Sequence, residues 1–207
     1  DQGDLLRAED QVSKGLDIEP KDEKLKLMLG WIRQRRGTRD DIQIAEKIFR
    51  SLLRTKDYRA ELGLAEALER KGILYVEAAE AIERGERESI AADSQQQVAR
   101  LRKEASGFWK ESIEFYERVV ERRPDDPQAM NGLQRVHSWR GETAESLRWS
   151  QALITQASAE LDFWTQRIKR PDVTAEDEKR FREIVRNTGK LLAETPLHAA
   201  TRGKRRG

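Results

Sequence analysis

The sequence predicts an all-α fold: antiparallel helix pairs stacked in an array, with one pair drawn out into an extended helical hairpin. Three observations carry this expectation. A single spacing of small, larger apolar and helix-ending residues recurs four times along the chain. Two central stretches carry heptad seams where a loop would be polar and aperiodic. Charged residues, at 38%, match or exceed hydrophobic ones, at 37%, so the core is thin and the surface large, as in an elongated helical protein.

The opening, "GDLLRAEDQVSKGLDIEP", places Ala8, Val12, Gly15 and Pro20 in a helix, with Gly3 five residues ahead of Ala8. The next segment repeats those intervals with Ala45, Phe49, Leu52 and Asp57. Later segments repeat them with Ser112, Tyr116, Val119 and Pro124, and with Ser146, Ser150, Leu153 and Ser158, again with Gly141 five residues ahead. A preceding helix has its own recurrence: Leu29, Gly30 and Gly37; Leu64, Ala65 and Gly72; Leu133, Gln134 and Gly141. Small residues let two helices approach closely, larger ones fill the space between pairs, and glycine supplies the left-handed turn that ends a helix. Gly3 is then the turn of a repeat whose first helix is missing, which suggests a segment of a longer protein.

These positions resemble the tetratricopeptide repeat family, whose helix-turn-helix unit of about 34 residues carries L-G, A-x3-F and a closing Pro at such separations. The resemblance covers residues 1–158 in degenerate form, since Gln134, Ser112 and Ser146 depart from its small positions. It implies a right-handed superhelical array of antiparallel helix pairs, a tetratricopeptide-like α-solenoid.

Between Gly72 and Ser112 the chain holds about thirty-five residues more than the repeat requires, too many for a structureless loop. Leu68, Gly72, Tyr75, Ala79 and Ile82 form one seam, and Val98, Leu101, Ala105, Phe108, Ser112, Phe115 and Val119 the other. The expected structure is a long helical hairpin, inserted over residues 73–107. It runs through about Arg84, turns near "GERES" and returns from about Ala92 to Glu121. Gly72 inside its first helix is a weak point of about 1 kcal/mol relative to Ala. After Ser158 the spacing fades; "AELDFWTQRIKRPD" offers one more helix, stopped by Pro171. Thr174, with Asp177 three residues on, opens another that aligns Phe181, Ile184, Val185, Thr188, Leu191 and Leu192 on one face. Residues 159–196 thus read as closing helices that a solenoid needs for solubility, and 197–207 as a basic tail.

Catalytic chemistry is thinly represented. There is no cysteine, neither glycine-rich phosphate cradle occurs, and His137 and His198 cannot form a cluster. Glu194 and His198 have helical ligand spacing, but Pro196 interrupts them. His137 reads as a core or interhelical residue. The expectation is a protein that is not an enzyme and takes no cofactor or metal. No apolar run reaches the length of a membrane span. With 40 Lys and Arg against 38 Asp and Glu, the net charge of +2 argues against nucleic acid as the main partner.

Function then lies in surface. The solenoid that the resemblance implies lines its concave groove with the first helices of each pair, and helical spacing selects the residues on that face. From the second repeat these are Lys24, Leu27, Trp31, Gln34 and Arg35; from the third Arg59, Leu62, Glu66, Glu69 and Arg70; from the fourth Gln128, Asn131, Arg135, Ser138 and Trp139. Tryptophan and arginine are the usual anchors of interfaces. The family's carboxylate clamp is not expected, because Leu27 and Trp31 stand where its first Lys and Asn would be. Arg59, Arg70 and Arg135 still favour an acidic ligand. The leading expectation is a scaffold or adaptor that binds a peptide or protein in this groove, with the hairpin as a second contact surface. It would be a module of a larger chain or assembly. The alternative is nucleic-acid or anionic-surface binding through the groove arginines and Arg202, Lys204, Arg205 and Arg206 of the tail. Absence of cysteine, together with the family's use in envelope assembly and secretion, tilts the setting toward the bacterial periplasm or export.

Overall fold

A computed structural model describes residues 2–86, 93–170 and 172–188. They are helical throughout, with no strand among the described residues: α1 (Gln2–Ile18), α2 (Glu23–Arg36), α3 (Arg39–Leu52), a short 3-10 turn (Leu53–Thr55), α4 (Tyr58–Glu83), α5 (Ser94–Arg122), α6 (Pro127–Arg140), α7 (Thr143–Ile168) and helical residues 175–188. The all-α expectation therefore holds. Contacts divide the chain into two units, Asp1–Pro124 and Asp125–Gly207.

Helix starts follow the local sequence. Asp22, Asp57, Asp93 and Asp126 each sit in extended or β-type backbone one residue ahead of a helix, and each carboxylate accepts from backbone N–H groups of the first turn. Thr38 does the same for α3 through the Asp41 N–H. Gly37 and Gly141, with φ of 73° and 78°, end α2 and α6 in the left-handed conformation that glycine adopts without steric cost.

In the first unit α1 to α5 pack in succession, each against the next, and α2 also touches α4. Phe49 of α3 is fully buried between α2 and α4. A Cβ on Gly30 would lie 2.7 Å from its ring and one on Gly63 2.5 Å, so both glycines form a slot that the ring fills. The hairpin joins α4 and α5 along the expected seams: Leu68, Gly72, Ala79 and Ile82 are buried on α4, and Val98, Ala105, Ser112, Phe115 and Val119 on α5. Three α5 side chains also bond across it. Trp109 Nε1–H donates to the Glu69 carbonyl (3.2 Å), the Ser112 hydroxyl to the Ala65 carbonyl (2.7 Å) and the Tyr116 hydroxyl to Glu69 Oε2 (2.8 Å). Toward the tip the seam narrows to Ala79, Ile82 and Val98, with Leu101 packed against them.

In the second unit α6 packs on α7. Gln134, in a position where the repeat pattern wants a small residue, is buried, and its amide donates to the Ser146 hydroxyl, which in turn donates to the Gln134 carbonyl. His137 is buried with Nδ1 2.6 Å from Glu142 Oε2, an interhelical contact at the end of α6. Residues 175–188 begin as expected, with the Asp177 N–H donating to the Thr174 hydroxyl, and Phe181 lies 4.7 Å from Trp164 between ring centroids.

Gly72 lies inside the hairpin's first helix as expected, and α4 is continuous over 26 residues; a Cβ there would lie 2.3 Å from Trp109 Nε1, and the glycine makes room for that ring. Two expectations are corrected. Gly3 lies within α1, so it is not a turn ahead of that helix. The helix expected to follow Ser158 is the C-terminal half of α7, which runs unbroken from Thr143 because no glycine or proline falls inside it. Most of the hairpin tip, Pro171, the metal-spaced Glu194 and His198, and the basic tail lie outside the described residues.

Candidate partner-binding surface

α2 and α4 of the first unit touch, and some of their predicted surface residues come together. The Gln34 side-chain amide donates to Glu66 Oε2 at 2.7 Å, joining the helices. Trp31, one turn before Gln34, is half-buried with its ring edge-on to Phe49 at 5.4 Å. Toward the helix starts a recess of about 220 Å³ lies between them, with Leu27 in its wall and Lys24 and Arg59 at its rim. Arg59 is exposed but clamped by Asp57, which accepts from Nε at 3.0 Å and Nη2 at 2.7 Å. The Arg59 guanidinium holds the Asp57 carboxyl below the usual aspartate range despite the opposing effect of burial.

Arg35 and Arg70 are exposed on the same pair of helices, Arg35 next to Gln34 and Arg70 one turn beyond Glu66. Among the described residues neither makes an ion pair. Leu27, Leu62 and Glu69, by contrast, are buried: the two leucines in the core and Glu69 under the Tyr116 hydroxyl. Asn131, Arg135 and Trp139 belong to α6 in the second unit, where all three are half-buried and Gln128 is exposed. The surface that the structure assembles is therefore the α2–α4 face.

Sequence reasoning missed the cluster that ties α1, α2 and α3 together. Asp41, only 2% exposed, accepts from Arg33 Nη1 (3.0 Å) and the Thr38 hydroxyl (2.7 Å), with Arg36 Nε at 3.3 Å. Both arginines also reach Glu9 of α1. Burial pushes the Asp41 carboxyl up, but the Thr38 hydrogen bond and the two guanidiniums outweigh it, and its pKa falls below the ordinary 3.8. A second group joins α3, α4 and α5: Glu46 accepts from Lys71 (2.7 Å) and Arg50 (3.0 Å), and Arg50 forks onto both oxygens of Glu111. The capping pattern Thr38-x-x-Asp41 was the one local signal for the first cluster. No three His, Cys, Asp or Glu residues converge to hold a metal ion among the described residues. None of the described helices is long and apolar enough to cross a membrane. The chain matches no known protein family and no curated protein sequence.

Proposed function

We propose that this protein is a non-catalytic scaffold of tetratricopeptide-like repeats that binds an extended segment of a partner protein across α2 and α4. The observation that carries the reading is the alignment of these two helices, linked through Gln34 and Glu66, with Trp31 at the seam and Arg35 and Arg70 exposed beside it. Their excess of cations favours an acidic segment. The resemblance to the repeat family supports right-handed winding of the helix pairs and a place in a larger chain or assembly. Arg135 and Trp139 of α6 offer the second unit anchors of the same chemical kind.

The test is quantitative capture of the co-purified native partner by the full chain and by an Arg35→Ala, Arg70→Ala variant. Interface arginines of this kind contribute more than about 1 kcal/mol each, so affinity should fall at least about tenfold. Unchanged affinity would sink the reading of this face.

A further inference from the structure

The hairpin carries a second surface, distinct from the α2–α4 face. α4 has 26 residues and α3 has 14, so at about 1.5 Å per residue α4 and α5 overshoot the start of α3 and leave a step. In that step lies a groove of about 870 Å³, floored by Tyr75 and Leu101 and flanked by Arg39 at the start of α3 and Lys103 on α5. The Arg39 guanidinium stands 5.8 Å over the Tyr75 ring, which is braced from behind by the edge of Phe108 at 5.1 Å.

Its charge is one-sided. Among the described residues three cations line the groove against one acid, and that acid, Glu104, is already held by Arg100 at 2.8 Å. Arg39 and Lys103 make no ion pair among the described residues. Gln96 on the α5 wall carries an amide that both donates and accepts, the capability that an extended peptide backbone requires. Aromatic floor, unneutralised cations and amide wall together fit one class of ligand.

We propose that this groove docks an extended acidic peptide segment. Carboxylates pair with Arg39 and Lys103, an apolar side chain lies on Tyr75 and Leu101, and Gln96 meets the main chain. Nucleic acid is disfavoured by the small number of cations, since phosphate binding scales with the number of charges neutralised.

The experiment is fluorescence anisotropy with the full chain and a labelled peptide of alternating Glu and Phe. A Gln–Phe counterpart and a labelled oligothymidylate serve as competitors in class. The acidic peptide should bind at least about tenfold tighter than either. Arg39→Ala and Lys103→Glu should each weaken it by about threefold to fivefold, as exposed charge pairs do. These side chains stand outside the core, so circular dichroism should show unchanged helicity. The Arg35→Ala, Arg70→Ala variant should bind this peptide normally. If that variant loses it while Lys103→Glu retains it, the peptide belongs to the α2–α4 face and the hairpin groove is refuted. Equal binding of the Gln–Phe peptide, tighter binding of the oligonucleotide, or no binding at all overturns the proposal as well.

Discussion

Replacing Gly63 by alanine would bring a methyl group to 2.5 Å from the Phe49 ring, and the same change at Gly30 would bring one to 2.7 Å. Alanine gains up to about 1 kcal/mol in helix propensity, but overpacking costs about 1–3 kcal/mol, and a fully buried ring pressed from both sides has nowhere to swing. Both variants should melt at lower temperature than the parent. At Gly107 a Cβ meets nothing within 4 Å, so Gly107→Ala should raise the melting temperature, by about 0.5–1 kcal/mol of stability. Asp41→Asn removes the charge and replaces one of the two acceptor oxygens shared by Arg33, Arg36 and Thr38 with an NH2 donor, and should cost about 1–3 kcal/mol in denaturant titration. Because the Asp41 and Glu46 carboxyls titrate below their ordinary 3.8 and 4.5, the folded state binds fewer protons there than the unfolded chain. Their stabilisation is present above those values and lost as pH falls through and below them. Thermal stability should therefore fall below about pH 4, and fall less in Asp41→Asn. Residue roles were legible in the sequence only where the cause is local. Gly30 could be read as a close-approach residue from its place before Gly37. The role of Gly72 could not, because Trp109, the ring that needs its space, is remote in sequence. The ion cluster was hidden for a similar reason: which arginine of "RQRR" reaches Asp41 depends on how α2 crosses α3.

Among the elements, the hairpin is graded along its length. Its base is tied by Trp109, Ser112 and Tyr116 onto α4, whereas its tip rests on Ala79, Ile82, Val98 and an exposed Arg102–Glu83 pair. Local opening should follow that gradient. Amides of residues 79–83 and 94–100 should exchange with deuterium well before those of 60–69 and 109–119, and equal protection along both arms would contradict it. The seams that define this hairpin were readable because a heptad repeats several times within one segment and needs no knowledge of the partner. The length of α7 was equally readable in principle, since nothing between Thr143 and Ile168 breaks a helix. A helix ends at a breaker, and the close of a repeat is not one. Gly3 illustrates the same point, as one isolated glycine signals a turn only when the residues ahead of it end a helix.

At the scale of the whole chain, Asp1–Pro124 contains the complete Phe49 slot, both ion clusters and the hairpin. Produced alone, that unit should keep its helical circular dichroism and unfold in one cooperative transition; a molten, non-cooperative product would show that its folding requires residues 125–207. The exposed pairs of this highly charged surface are worth little individually, so added salt should shift stability only slightly. Salt should nonetheless weaken capture of an acidic partner. Class and approximate helix number follow from composition and periodicity, which average over many residues. Placement of the candidate site does not, because it depends on which helices become neighbours.

Phe49 seated between two glycines has a consequence for recognition. The fully buried ring acts as a gauge block between α2 and α4, in contact with a glycine of each. The partner segment proposed for this face would therefore meet rungs whose spacing is settled when the protein folds, leaving little ordering of the protein to oppose its binding.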